Sequence, residues 1–233
     1  MRRTKRRKLP VRRFRSGFGS ECVCPVCCAG ECERFVEVGP REYIRCPACE
    51  AVFLHPEQRP DRERERACYD LHNNSREDER YAAFLRRLAD PLIERLSPGA
   101  EGLDYGCGPT PLLSELLEEA GFPTSGYDPF FFPEEAVFER TYDFITCSEA
   151  AEHFHRPHHE FARLDRLLRP GGLLAVMTSF LDGVEDFVNW RYRREEAHVV
   201  FYKKRTFRVI ASRLGWLAEF PAPNISFLCK PLS

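Results

Sequence analysis

The segment Cys147–Glu160, CSEAAEHFHRPHHE, carries four of the chain's seven histidines, His153, His155, His158 and His159, together with Glu149, Glu152 and Glu160. Carboxylates beside imidazoles can hold a divalent cation, take up and return a proton near neutral pH, or sit solvated at the start of a helix. The segment follows a strand-like run, YDFITCS, which puts it at the carboxyl edge of a sheet, where open α/β folds bind ligands. That location marks Glu149, Glu152 and His153 as candidates for chemistry; the structural alternative is a capping cluster. His155, His158 and His159 flank Pro157 and read as exposed residues that neutralise nearby acids. His198, just before the apolar run VVFY, reads as a fourth ligand or substrate contact, or as a satisfied polar residue at a strand start. In the preceding DFVNWRYRREEAH, Trp190, Arg191, Tyr192, Arg193 and Arg194 either grip an anionic or planar acceptor or form a surface helix with one buried side.

A second chemical signal lies near the N-terminus. Seven of eleven cysteines fall between Cys22 and Cys49, four of them in two knuckles, Cys24-Pro-Val-Cys27 and Cys46-Pro-Ala-Cys49, 18 residues apart. Two such knuckles present four thiolates to one tetrahedral ion, and zinc is the default occupant of this ribbon pattern, with iron as the alternative. Cys22, Cys28 and Cys32 are spare thiols that can displace an assigned ligand. Such clustering points to a structural metal in a reducing compartment rather than to a disulfide scaffold.

The third signal is LDYGCGPTPLLSELL, a strand, a glycine-rich turn and a helix. Gly106 and Gly108 allow close backbone approach, and the helix start supplies unpaired N–H groups. Asp128, about 20 residues on and just past the next strand, is placed to accept hydrogen bonds from both hydroxyls of a ribose.

These residues need elements to position them. Helical periodicity predicts helices over YAAFLRRLADPLIERL, with Pro91 as a possible kink, TPLLSELLEEAG, HEFARLDRLLRPGG and KRTFRVIASRLGW. Strands are predicted at EGLDYG, TSGYD, YDFITCS and LLAVMTS, with a closing pair in WLAEFPAPNISFLCK. Alternating strand and helix predicts an α/β domain with a parallel sheet. Four zones follow: a basic disordered tail over 1–20, the cysteine ribbon over 21–56 with a hairpin turning at Gly39-Pro40, a linker or exposed helix over 57–80, and the α/β domain over 81–233.

At the glycine turn and Asp128 the chain resembles the class I S-adenosylmethionine-dependent methyltransferases, whose pattern reads roughly LDxGCGxG with an acid after the second strand. LLRPGGLLAVMT is similar to their helix-turn-strand segment. The resemblance spans about residues 81–230 and implies a Rossmann-like sheet with a terminal antiparallel strand and S-adenosylmethionine as cofactor. It places Asp104, Gly106 and Gly108 at the methionine end and Asp128 at the ribose. Two features depart from the family: Thr110, between Pro109 and Pro111, replaces the third glycine, and only 13 residues separate Asp128 from Tyr142, too few for the usual third strand and its helices. Phe130, Phe131 or Phe132 would then cover the adenine. The short gap and the RPGG turn disfavour a hydride-transferring dinucleotide enzyme.

EAAEH is similar to the E-x-x-E-H of ubiquinone-pathway O-methyltransferases, small-RNA 2′-O-methyltransferases and deoxysugar C-methyltransferases; the last, with an N-terminal zinc-binding region, is the closest architectural parallel. The resemblance implies either a divalent ion at Glu149, Glu152 and His153 that polarises an acceptor hydroxyl, or a Glu-His acid-base pair.

Composition bounds the partners. Nine of the 35 Lys and Arg lie within residues 2–15 with no acid among them, so the rest of the chain is acidic. A basic tail suits nucleic acid, and an acidic body does not. No stretch suits a membrane span and the N-terminus lacks the apolar core of a secretory signal, so the expected location is cytoplasmic. The primary expectation is a methyltransferase for a small-molecule or sugar-like acceptor. The alternatives are an RNA methyltransferase using ribbon and tail, and a non-catalytic zinc-ribbon binding protein.

Overall fold

The computed structural model describes residues 11–13, 22–70 and 75–232. The larger sheet has six strands in the order β10-β11-β8-β7-β5-β6: β5 (Gly102–Tyr105), β6 (Thr124–Tyr127), β7 (Tyr142–Ser148), β8 (Leu168–Met177), β10 (Leu217–Ala222) and β11 (Ile225–Cys229). β5 pairs in parallel with both β6 and β7, and β7 with β8, while β11 and β10 close the sheet antiparallel. The chain leaves β5 for β6 on one side and returns to β7 on the other, so a crevice opens above the carboxyl ends of β5 and β7. The sheet ends on β6, and residues 128–141 hold a short 3-10 turn at Glu135–Glu139 in place of a third strand. Pro221 sits in the edge strand β10, at the register shift between Glu219 and Ala222, where a missing N–H breaks no inner ladder.

The predicted helices form. α2 (Glu79–Ile93) starts at Asp78, whose carboxylate accepts the Arg80 N–H; it carries Pro91 in its last turn. Its buried face, Leu85, Leu88, Ala89 and Leu92, packs with that of α3 (Leu112–Glu119) on one side of the sheet. α4 (Pro157–Leu167) and α5 (Lys204–Leu214) cover the other side, and Gly215 ends α5 in the left-handed conformation that glycine adopts freely.

The cysteine zone builds a second sheet from β2 (Glu33–Val38), β3 (Arg41–Arg45) and β4 (Val52–Leu54), flanked by β1 (Val11–Arg13) from the tail and extended by β9 (Val200–Phe201) from the α/β part of the chain. The β2–β3 hairpin turns at Gly39-Pro40 as its alternation predicts. Tyr43, Ile44, Phe53 and Leu54 are fully buried in one continuous apolar cluster with Phe201, Tyr202 and Phe207. The expectation of a tail over 1–20 meets a strand at Val11–Arg13, paired with Val36–Val38; the remaining tail residues lie outside the described ones. The 57–80 stretch contains α1 (Arg62–Tyr69), capped by Asp61, and the first residues of α2. Among the described residues no helix is long and apolar enough to cross a membrane.

Candidate active site

A cavity of about 750 Å³ occupies the crevice, within the range of roughly 300–1,000 Å³ usual for small-molecule sites. One wall is the glycine turn after β5. Gly106 (φ 86°) and Gly108 (φ 67°) both adopt left-handed backbone conformations. A Cβ on Gly106 would lie 2.5 Å from the Cβ of Ala150, whereas one on Gly108 would meet nothing within 4 Å. Gly106 and Cys107 donate their N–H groups to the Tyr127 carbonyl, tying the turn to the end of β6.

Asp128 lies beside this turn and lines the cavity. Its carboxylate accepts N–H bonds from Gly108 (3.1 Å), Phe130 (2.8 Å) and Phe131 (3.1 Å). Burial raises its pKa and the three amides oppose that rise. Phe130 and Phe131 line the cavity with it, while Phe132 lies outside, against a separate shallow depression. Asp104 is not in the lining: it is buried under the floor, accepting from Thr146 (2.7 Å) and Ser114 (3.3 Å). Its side chain projects to the α3 face of the sheet, where Ser114 meets it, because alternate residues of a strand face opposite ways, and its neighbour Tyr105 faces the cavity. Burial pushes the Asp104 carboxyl up to about 6.

The Glu and His segment forms the opposite wall. Glu149, left-handed at φ 47°, lines the cavity, and burial followed by repulsion from Glu152 pushes its pKa up to about 9. Glu152 is fully buried and pushed up to about 7 by desolvation, with Tyr192 and Thr178 hydrogen bonds working against the rise. Thr178 donates to it at 2.9 Å, and the Tyr192 hydroxyl also donates to it. His198 Nε2 lies 3.9 Å from the Glu152 carboxylate. Potential ligand atoms of Glu152, His153 and His198 all fall within 4.8 Å of one another, a group that does not include Glu149. His153 Nδ1 is 3.0 Å from the Ala197 carbonyl and His198 Nδ1 is 2.8 Å from the Tyr192 carbonyl. A carbonyl oxygen only accepts, so in each ring Nδ1 carries the hydrogen of that bond.

The remaining histidines divide. His158 and His159 are exposed in the first turn of α4, as expected. His155 corrects its expectation: it is half-buried, lines the cavity and stands 3.7 Å from Glu65. The WRYRR run is not a helix of any length: Tyr192 turns into the cavity in a three-residue 3-10 turn and Arg193 turns away from it.

The reading of 57–80 as a linker or exposed helix did not place α1 at the cavity. Glu65 and Tyr69 line the cavity, with the Tyr69 hydroxyl donating to Glu65 at 2.7 Å and the Tyr69 ring packed edge-on against His153 and Phe130. Arg62 and Arg66 lie over the Phe130 and Phe131 rings, fastening α1 to the loop after Asp128. The available signal was a face: Glu65, Cys68 and Tyr69 fall at helical spacing inside an otherwise charged run. Tyr105, Glu160 and Arg163, joined by hydrogen bonds, complete the far end.

Away from the cavity the four knuckle cysteines converge, fully or nearly fully buried, with Sγ pairs Cys24–Cys49 at 3.7 Å and Cys27–Cys46 at 3.6 Å. The knuckles are copies of each other: Cys24 and Cys46 each donate N–H to the carbonyl five residues on and accept from the N–H four residues on, where Cys28 and Glu50 are both left-handed. Of the spare thiols, Cys32 is also buried, hydrogen-bonded to Cys24 and Cys46.

The sequence matches the family described as a methyltransferase domain over residues 74–218. Among solved structures, the chain is similar to a 1,6-didemethyltoxoflavin N1-methyltransferase of Burkholderia thailandensis, solved with its substrate and S-adenosylhomocysteine, at TM-score 0.53 and 16% identity over 85% of this chain and 99% of that one. It is also similar to the magnesium protoporphyrin IX methyltransferase of Synechocystis PCC 6803 with bound S-adenosylhomocysteine (TM-score 0.46, 16% identity, 72% and 93% covered). A third is a Haloferax volcanii complex of the Trm112 methyltransferase activator with a methyltransferase (TM-score 0.49, 14% identity, 73% and 95% covered). A search of curated proteins found no match. The glycine turn, the acid at the end of β6 and the family match together establish that the chain belongs to the methyltransferase-domain family and is an S-adenosylmethionine-dependent methyltransferase.

Proposed function

We propose that the chain methylates a small-molecule acceptor held between α1 and the Glu152–His153–His198 cluster, and that this cluster holds a divalent cation. The observation that carries the reading is that Glu152, His153 and His198 each bring one potential ligand atom within 4.8 Å of the others, while backbone carbonyls orient both rings through Nδ1. Two imidazoles and a carboxylate, each ring oriented by a backbone carbonyl, match the chemistry of a three-ligand site with positions left for substrate. A bound cation there would lower the pKa of an acceptor hydroxyl.

S-Adenosylmethionine supplies the methyl group, and Gly106, Gly108 and Asp128 are the residues proposed to hold it. Asp128 already spends lone pairs on three amides, and a carboxylate retains acceptor capacity for a ribose hydroxyl. Transfer to an acceptor needs alignment and exclusion of water more than acid-base chemistry. α1 supplies one wall for this, through Tyr69 packed between Phe130 and His153. Glu149, its pKa raised by burial and by repulsion from Glu152, lines the cavity beside the acceptor space, and His153 is the proton acceptor if no cation is present.

The four knuckle thiols are proposed to hold structural zinc. Zinc–sulfur bonds of about 2.3 Å in a tetrahedron place sulfurs about 3.8 Å apart, close to the 3.7 and 3.6 Å found.

Titration calorimetry with S-adenosylhomocysteine on wild type and Asp128→Ala tests the cofactor site, and Mn²⁺ electron paramagnetic resonance on wild type and Glu152→Gln tests the cation. Bound Mn²⁺ lost in Glu152→Gln, with zinc content unchanged, supports the reading. Absence of S-adenosylhomocysteine heat in wild type refutes the cofactor assignment, and Mn²⁺ bound equally in both proteins refutes the cation ligands.

A further inference from the structure

We infer that the cysteine ribbon sets the geometry of the catalytic cluster, and that Arg193 is the positioning residue that carries this from ribbon to cluster. The inference rests on the reading of Glu152, His153 and His198 as the working group.

Arg193 is 5% exposed and does not line the cavity. No carboxylate pairs with it among the described residues. Its Nε and Nη2 both donate to the Val188 carbonyl, at 3.2 and 3.0 Å, and its Nη1 donates to the Tyr43 hydroxyl at 3.2 Å. The guanidinium carbon lies 5.7 Å from the Tyr43 ring centre. A buried cation is costly to hold without an ionic partner, so its retention on a ribbon tyrosine calls for a return elsewhere. The adjoining residue supplies one: Tyr192 gives its hydroxyl to Glu152 and its carbonyl to His198 Nδ1. Tyr43 lies in β3, three residues before Cys46. The path therefore runs from the thiol tetrad through Tyr43 and Arg193 to Tyr192, and ends on two of the three cluster residues.

A second path is made of backbone. β4 pairs with β9 at Val52–Phe201 and Phe53–Val200, and Leu54 N–H donates to the Val199 carbonyl. Val199 N–H in turn donates to the Glu152 carbonyl at 2.9 Å, and the Tyr202 hydroxyl donates to the Ala151 carbonyl at 2.8 Å. Beside the knuckle, Thr206 donates to the Cys49 carbonyl. The cluster turn is thus hydrogen-bonded to a strand whose other edge is part of the ribbon sheet. A detachable docking module would not share a sheet and a core in this way.

The test compares full-length wild type, Arg193→Lys and Tyr43→Phe by four readouts: zinc per chain, S-adenosylhomocysteine affinity by calorimetry, Mn²⁺ affinity by electron paramagnetic resonance, and the tautomers of His153 and His198 by ¹⁵N NMR. Lysine keeps the charge but cannot span two acceptors with a fork. The expected result for Arg193→Lys is full zinc, S-adenosylhomocysteine affinity within about twofold, Mn²⁺ binding weakened at least tenfold, as outer-shell losses usually produce, and His198 moving from a single Nδ1-protonated form to a mixture. Tyr43→Phe keeps the ring and loses one hydrogen bond, so a loss in the same direction of roughly threefold is expected; it decides the matter if Arg193→Lys does not fold. Unchanged tautomers overturn the inference, as does a parallel fall of zinc, S-adenosylhomocysteine and Mn²⁺ binding. Should wild type bind no Mn²⁺, the cation reading falls while the tautomers still decide the positioning role.

Discussion

Replacing Gly106 and Gly108 separately by alanine separates two reasons for a glycine in this turn. At Gly106 an L side chain meets the left-handed backbone penalty of about 1–2 kcal/mol and a Cβ contact of 2.5 Å with Ala150. Carbon atoms pack best at about 3.5–4.0 Å, so Ala150 must retreat by roughly an ångström, and with it the turn that carries Glu149 and Glu152. Overpacking of this kind costs about 1–3 kcal/mol, which makes the Gly106→Ala total about 2–5 kcal/mol. At Gly108 the backbone penalty is the same kind, but the added methyl meets no atom within 4 Å and extends over the cavity. Gly108→Ala should therefore cost only about 1–2 kcal/mol. Urea unfolding of the cofactor-free protein measures both. Calorimetry with S-adenosylhomocysteine should then show at least a tenfold loss for each variant, by displacement of the floor in Gly106→Ala and by obstruction in Gly108→Ala. Equal stability of the two variants would refute the Ala150 argument. Wild-type affinity in Gly108→Ala would refute the placement of the cofactor on this turn.

Three further outcomes follow from the buried groups. Burial lifts the Asp104 carboxyl from its ordinary 3.8 to about 6; below pH 3.8 both folded and unfolded states are protonated and it contributes nothing, while above pH 6 the folded state holds an ionised carboxylate at a cost of about 3 kcal/mol. Wild-type stability relative to Asp104→Asn should therefore decline by about that amount between pH 4 and pH 7 in denaturant titrations, and a pH-independent difference would contradict it. Cys46→Ser should reduce zinc from one per chain to a small fraction and lower the thermal midpoint by several degrees, since removing a metal ligand removes folding energy; full zinc retention would point to Cys32 as a replacement ligand. Tyr69→Ala should weaken S-adenosylhomocysteine binding by stripping the Phe130 side of the cavity, whereas Tyr69→Phe, which keeps the ring, should bind within about threefold of wild type by calorimetry; equal loss in both would shift the role from ring to hydroxyl.

Much of the fold was legible because it is written in local chemistry. The helices over residues 79–93, 112–119, 157–167 and 204–214 follow from apolar spacing, and the absence of a third strand follows from the 13 residues between Asp128 and Tyr142. The cysteine knuckles repeat one backbone pattern that depends on a few consecutive residues, so spacing alone identified the four thiols. The candidate cluster was legible in part: Glu152, His153 and His198 were named, but so was Glu149, which faces the same cavity without joining their ligand atoms.

The sequence by itself determined the main helices and strands of the α/β part, the glycine turn and the two groups of candidate ligands, because each depends on residues close together in the chain. Only the tertiary structure decided which way Asp104 points, that α1 walls the cavity, that His155 lines it, and that Tyr192 ties Glu152 to His198. It alone joined the ribbon to the Glu152–His153 turn through β4 and β9, which lie about 150 residues apart. Period and spacing report on neighbours in the chain, whereas burial, tautomer and strand pairing between distant segments exist only once the core has closed.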